Sequence, residues 1–387
     1  MSKIINIKPK INPEGYFEDN IQISKNLNYE ILKKIISIKI NKLKIESTDT
    51  KLLNSIIDNH KMLSEARLIA KDSFIVNDME INELKSVNLD DYGRYLLYRY
   101  KYRYFSKEKK VGEYPPCLQI EPTSICNFRC VMCYQSDKTF SNKSHGYMSN
   151  MSLDLYKKII DEVSGKVEAI TLASRGEPTL NKDFGKMLEY SNKKFLALKI
   201  NTNASMLNEK LIHTILSTDI QSIVFSVDAA NKETYEKIRV NGKFEKIIKN
   251  LELFSEIRKK HYSKSKHIVK MSGVRISSDQ SIEKMEEKFK KIADVIAFVN
   301  YTPWESAYDN EINNLDHPCE ELWTRMFVWA DGKVNPCDYD YKSLLSKWNV
   351  KNQSIKEIWN SKDYNNLRNQ HLNSKRINIE PCKRCLN

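Results

Sequence analysis

Cys126-Asn127-Phe128-Arg129-Cys130-Val131-Met132-Cys133 places three thiols within eight residues, in a C-x3-C-x2-C pattern. Thiolates select zinc or iron–sulfur clusters, and this spacing lets three of them wrap one soft-metal centre. A structural zinc closes with four protein ligands, and the nearby fourth candidate is His145, twelve residues on. A cubane cluster held by three cysteines instead leaves one iron open to a further ligand. Three buried free thiols fit such tight spacing in a loop poorly.

The run follows a short β-rich stretch, Cys117-Leu118-Gln119-Ile120-Glu121, and more such stretches succeed it at Val167 to Ala173, Phe195 to Asn201, Gln221 to Val227, Ile268 to Ile276 and Val295 to Asn300. Amphipathic helical patterns separate them, as at Leu153 to Val163, Asn208 to Leu216, Phe244 to Lys260 and Ser281 to Ala293. Parallel neighbours need crossover connections, so six β-α units predict a parallel sheet closing into a barrel or partial barrel, with function on the loops after the strands. The chain then divides into a mostly helical extension (1–110), the barrel (111–302) and an irregular cysteine-bearing tail (303–387). The extension shows a helical pattern around Leu52 to Ala70 and no nameable motif.

Composition narrows the class. The 387 residues carry 63 Lys+Arg against 50 Asp+Glu, eight cysteines, and a hydrophobic fraction of 41%, too high for disorder. No run approaches the roughly 18 apolar residues of a membrane helix. The start, MSKIINIKPKINPEG, lacks an apolar h-region, so a cytoplasmic protein without disulfides is expected. The cysteines need another job. The formal charge of +13 is mostly lysine and reads as a solvated surface. Tyr92 to Phe105 interleaves aromatic and basic residues, which could stack on bases. A helix packing Tyr95, Tyr98, Tyr102 and Phe105 inward, with Arg and Lys stems covering apolar surface, is the preferred reading. Neither nucleic acid nor membrane is expected as a partner.

C-x3-C-x2-C after the first strand of a six-unit α/β barrel resembles the radical S-adenosylmethionine (radical SAM) superfamily, over about residues 115 to 302. The resemblance implies a (β/α)6 partial TIM barrel and a [4Fe–4S] cluster on Cys126, Cys130 and Cys133, with S-adenosylmethionine (SAM) chelating the open iron. Reductive cleavage of SAM then yields a 5′-deoxyadenosyl radical that abstracts hydrogen from substrate. Further features stand at matching strand ends. Gly176-Glu177-Pro178 resembles the motif that meets the SAM amino group, and a carboxylate there can accept from an ammonium. Arg175 replaces the usual preceding Gly. Asn201-Thr202-Asn203 ends the third strand, with Ala204 where Gly is commoner. Ser226-Val227-Asp228 ends the fourth, where similar enzymes bind ribose hydroxyls and the carboxylate, and Arg239 resembles the carboxylate-binding arginine. Tyr134, next to Cys133, joins these implied cofactor contacts. Singly, such residues are weak signals, since an Asp at a strand end is as often an N-cap.

The tail holds Cys319, Cys337, Cys382 and Cys385. Four thiolates complete either a zinc site or a [4Fe–4S] cluster without an open iron. Gly332 to Cys337 and the closing C-x2-C resemble the SPASM/twitch domains appended to many radical SAM enzymes, implying an auxiliary [4Fe–4S] cluster. Four cysteines rather than seven match the single-cluster twitch arrangement of dehydrogenases. The remaining thiol, Cys117, begins the first strand; it reads as a buried strand residue, although in radical epimerases a cysteine returns hydrogen to substrate.

The expected activity is therefore a radical SAM oxidoreductase of dehydrogenase type, acting on a small sugar-like or phosphorylated substrate and passing an electron to the auxiliary cluster. Glu121 and Arg275, near the ends of the first and fifth strands, are the expected substrate contacts. A flavodoxin- or ferredoxin-type donor is the implied electron source. The alternatives are a peptide (RiPP) maturase, a redox-neutral sugar epimerase, and a zinc-stapled nucleic-acid-binding protein.

Overall fold

Six strands follow one another as parallel neighbours: β1 (Cys117–Ile120), β2 (Ala169–Leu172), β3 (Ala197–Thr202), β4 (Ser222–Ser226), β5 (Ile268–Arg275) and β6 (Val295–Asn300). The computed structural model describes residues 3–4, 28–43, 45–67, 69–70 and 72–386; most of the amino-terminal stretch read for a signal peptide lies outside them. Side chains alternate across each strand. Leu118 and Ile120, Leu198 and Ile200, and Val269 and Met271 enter one apolar core with the helices. The opposite, concave face is polar, carrying Gln119, Glu121, Thr171, Lys199, Asn201 and Lys270.

Helices Leu153–Val163, Phe184–Ser191, Glu209–Ser217, Lys232–Ile238, Phe244–His261 and Ile282–Phe289 cover the convex face. Four of them start on a residue whose side chain accepts from a first-turn amide: Ser152, Asn208, Asn231 and Ser281. Such caps satisfy amides that a helix start leaves unpaired.

The tail does not lose regularity after residue 302. β7 (Arg325–Val328) lies parallel to β1, pairing Cys117 with Arg325 through Ile120 with Val328. It turns through Asp331-Gly332, with Gly332 at φ +89°, into antiparallel β8 (Lys333–Asn335), which pairs with β9 (Trp348–Asn349). The sheet order is Lys3–Ile4, β6, β5, β4, β3, β2, β1, β7, β8, β9. The tail is thus a continuation of the barrel sheet. Its helix Lys362–Leu372 buries Arg368, which donates to Leu322 O at 2.9 Å and Trp359 O at 2.8 Å.

Residues 18–110 form a separate compact unit; barrel and tail share the other. Within it, helices Tyr29–Ile36, Ser47–Ser64, Asp78–Leu84 and Tyr92–Glu108 pack around Leu53, Ile56, Leu84, Tyr95 and Leu96. The helix expected at 52–70 ends at Ser64. Tyr95 and Phe105 are buried, as packing requires, and Arg99 and Arg103 lie over the Tyr102 and Phe74 rings, at 5.6 and 4.9 Å. They converge on fully buried Glu80, at 2.8 and 3.0 Å. A charge taken out of water needs this pairing. Two of the helix's basic residues are therefore spent inside the unit, which removes them from any nucleic-acid surface.

Candidate active site

The loop after β1 carries Cys126, Cys130 and Cys133. Its backbone is pinned from two sides. Arg129 N donates to Val240 O at 2.9 Å and Val131 N to Ile238 O at 3.0 Å, fixing it to the end of helix Lys232–Ile238. Glu177 N donates to Ile125 O at 2.9 Å. A Cβ at Gly176 would lie 2.2 Å from Thr123 O and 2.6 Å from Ile125 O, so only glycine permits this approach. Burial pushes the Cys126 thiol up to about 12 and raises Cys130 and Cys133 as well. Three thiols that resist ionisation suit a cationic centre, which holds such sulfurs deprotonated.

The other sequence-derived positions gather above this loop. Glu177 is buried, and burial raises its carboxyl despite bonds from Asn203 N (2.7 Å), Thr179 and Thr202. Pro178 opens the short turn that Glu177 caps. Asn203 Nδ2 donates to Asn127 Oδ1 at 3.1 Å, tying the end of β3 to the cysteine loop. Ala204 adopts φ +62°, the left-handed region that explains why glycine is commoner there. Asn201, on the concave face, leaves Oδ1 without a protein partner. Ser226 ends β4, in register with Ser272. Asp228 is fully buried, accepting from Arg239 Nε at 2.5 Å and Val274 N at 2.7 Å. Arg239 Nη1 reaches Cys130 Sγ at 3.7 Å, so it bridges the carboxylate and a thiol.

Two expected substrate contacts fall elsewhere. Glu121 is fully buried and committed: its carboxylate accepts from Arg175 Nε and Nη2, each at 2.7 Å, and from Ala330 N at 3.0 Å. Arg175 Nη1 donates to Tyr341 O at 2.8 Å, and its guanidinium stacks 4.3 Å from the Trp329 ring. Both Glu121 carboxylate oxygens and all three guanidinium nitrogens of Arg175 are thus engaged by protein. Arg275 is exposed at the end of β5, 5.9 Å over the Phe298 ring, apart from the cysteine loop cluster. Cys117 is buried at the start of β1, the strand end opposite the cysteine loop, where burial raises its thiol.

The four tail cysteines line one cavity of about 190 Å³, together with Trp304, Glu321, Arg325, Asp338, Tyr339 and His371. Buried Arg376 braces the closing C-x2-C, donating to Cys382 O at 3.2 Å and Cys385 O at 3.0 Å. Among the described residues no three His, Cys, Asp or Glu side chains converge on a single-ion position. A cavity ringed by four thiols accommodates a cluster better than one ion. Burial raises Asp338, beside Cys337, to about 7. Sequence reading missed Asp338, although its adjacency to Cys337 marked it for the same cavity.

An aromatic seam links the two cysteine sets. Tyr134 stacks on Tyr341 at 5.1 Å and meets Trp304 at 6.0 Å; Trp304 meets Tyr339 at 6.3 Å. Tyr134 adjoins Cys133, whereas Trp304 and Tyr339 line the tail cavity.

Comparison with known proteins agrees with this architecture. The Radical SAM superfamily model matches residues 120–296, and the SPASM iron–sulfur cluster-binding domain matches 319–386. The chain belongs to the radical SAM superfamily and carries a SPASM-type domain, and with these domains go a SAM-binding cluster and an auxiliary [4Fe–4S] cluster. The mycofactocin maturase MftC of Mycolicibacterium smegmatis is 28% identical over 141 residues, 36% of this chain and 34% of the relative. The Fe-coproporphyrin III synthase of Methanosarcina barkeri is 27% identical over 148 residues, 38% of this chain and 34% of that one. The chain thus spans about a third of the length of these curated relatives. Streptococcus suis SuiB, solved with its precursor peptide SuiA, shares the fold at TM-score 0.57 and 14% identity, over 90% of this chain and 94% of that one. Among the described residues no helix is long and apolar enough to cross a membrane.

Proposed function

We propose that the protein is a radical SAM peptide maturase that oxidises a C–H bond in a peptide substrate. The observation that carries this reading is the four-cysteine cavity built onto the barrel edge through β7, in a fold shared over nine-tenths of the chain with SuiB, a protein solved with its precursor peptide. MftC, a maturase by name, supports the same reading. The sugar-like substrate expected from the sequence finds no support in these relatives, and a peptide takes its place.

Cys126, Cys130 and Cys133 hold the SAM-binding cluster; Cys319, Cys337, Cys382 and Cys385 hold the auxiliary one. When bound, SAM and its cluster supply a 5′-deoxyadenosyl radical, and the second cluster supplies a one-electron acceptor. The chain's own residues position and shield. Glu177 and Asn203 would orient polar groups of bound SAM, and Glu177, held by amide and hydroxyl donors, would offer a carboxylate to its ammonium. Asp228 holds Arg239 within 3.7 Å of Cys130 Sγ, where the guanidinium would be placed to meet a carboxylate of bound SAM. Gly176 lets the second loop close against the first. Tyr134 and its aromatic neighbours keep water out between the two cysteine sets.

The test is anaerobic incubation of the reconstituted holoenzyme with SAM, a reductant and either candidate precursor peptides or small polyols. Deoxyadenosine formed in proportion to an oxidised peptide supports the reading. Stoichiometric oxidation of a polyol, with peptides inert, overturns it.

A further inference from the structure

We propose that His371 donates a hydrogen bond from Nε2 to a sulfur of the auxiliary cluster and thereby raises the reduction potential of that cluster. The proposal is independent of the substrate's identity; it rests on the assignment above of the four tail cysteines as cluster ligands.

His371 stands in the last turn of helix Lys362–Leu372 and is 1% exposed. Just before it on that helix, Arg368 is anchored to Leu322 O at 2.9 Å. His371 is anchored to the same stretch of chain, because Cys319 N donates to its Nδ1 at 3.3 Å. A backbone N–H can only donate, so Nδ1 is the bare acceptor nitrogen and the ring's proton sits on Nε2. Burial, with Arg376 and His317 beside the ring, acts against a second proton. The tautomer is thus set by a main-chain contact from a residue that is itself a cluster ligand.

Nε2 has no hydrogen-bond partner among the described residues, although it is sealed from water. A buried donor in that state forgoes solvent and receives nothing in exchange. His371 lines the tail cavity with Cys319, Cys337, Cys382 and Cys385, and the other polar side chains there have partners of their own. Glu321 faces its counter-charge Arg325 at 3.6 Å, and Asp338 accepts from Gln119. The Tyr339 hydroxyl accepts from Asn310 Nδ2 at 2.7 Å, and Arg376 donates to the carbonyls of Cys382 and Cys385. What the cavity offers Nε2–H is sulfur. A hydrogen bond to a cluster sulfur favours the reduced state, whose sulfurs carry more negative charge, and such bonds are among the levers that set iron–sulfur potentials. A raised potential suits a cluster that takes one electron from a substrate radical.

The test is a redox titration of the reconstituted holoenzyme followed by electron paramagnetic resonance, with SAM added to shift the signal of the first cluster away from the auxiliary one. His371→Asn keeps an oxygen for the Cys319 amide and removes the Nε2 donor, whereas His371→Gln keeps a donor at the Nε2 position. The auxiliary cluster of the Asn variant is expected to be about tenfold harder to reduce, a fall of about 59 mV for one electron. The Gln variant should stay near the native potential, and the SAM-binding cluster should move in neither. An unchanged potential in the Asn variant at full iron content overturns the proposal. So does an equal fall in both variants, which would mark the ring as packing alone. If the Asn variant fails to assemble its auxiliary cluster, protein carrying nitrogen-labelled histidine and native His371 decides. A nitrogen hyperfine coupling to the reduced auxiliary cluster that survives His317→Gln supports the donor, and its absence overturns it. Zinc in place of iron at the tail cysteines overturns the ligand assignment, and the proposal with it, whatever the substrate.

Discussion

Arg175 and Glu121 form a two-pronged ion pair, 2.7 Å at each prong, where the barrel meets the tail. Glu121 closes β1, Arg175 directly precedes the Gly176-Glu177 turn, and the pair's remaining bonds go to Ala330 and Tyr341 in the tail. The turn that flanks the candidate SAM site is thereby registered against the domain holding the second cysteine set.

Arg175→Ala should destabilise the protein by about 3–5 kcal/mol, because it strands a buried carboxylate. Replacing both partners, as Glu121→Leu with Arg175→Met, should recover much of the loss. Denaturant unfolding of the native protein and the two variants measures this; equal stability of native and single variant would mean the pair is idle.

Gly176→Ala should weaken SAM binding at least tenfold while costing about 1–3 kcal/mol of stability, since the added methyl must displace two backbone carbonyls. Calorimetric titration with SAM, beside an unfolding curve, separates the two effects. Unchanged affinity would dissociate the turn from the cofactor.

The iron content of the reconstituted protein should be about eight per chain and fall to about four in Cys382→Ala, with the remaining cluster still responding spectroscopically to SAM. Cys130→Ala should lose the SAM-responsive signal instead. Zinc in place of iron at the tail would refute the auxiliary cluster.

In the N-terminal unit, His60 Nδ1 donates to Ile56 O at 2.7 Å and Nε2 accepts from Val76 N at 3.2 Å. Burial lowers its pKa, so the folded state holds the neutral ring. A depressed folded-state pKa contributes stability above the unfolded value of about 6.5, lost as pH falls through the folded one. Protection of the Val76 amide from hydrogen exchange, corrected for the intrinsic rate, should therefore drop between neutral pH and mildly acid pH. A flat protection factor would contradict it.

Much of the barrel was legible in the sequence because its signals are local. Alternating strands such as Ala197–Thr202 and capped helices such as Leu153–Val163 announce themselves within a dozen residues. The motif positions were equally readable, since Cys126, Gly176, Asn203 and Asp228 all fall at strand ends. What stayed hidden depends on distant partners. β7 is four residues long and its mate β1 lies some two hundred residues upstream, so no local pattern marks their pairing. Glu121 looked available for substrate because nothing in its neighbourhood foretells Arg175, whose replacement of a family glycine was visible without its purpose. Arg99 and Arg103 likewise read only as stems covering apolar surface, because nothing nearby in sequence foretells their counter-charge, Glu80.

The parallel pairing of β7 with β1 has an assembly consequence. A barrel cut before residue 325 would expose the whole of β1 as a bare edge, with unpaired amides inviting another chain. The iron–sulfur tail therefore also serves as the guard of that edge, and the barrel without it should be prone to self-association whatever metal it holds.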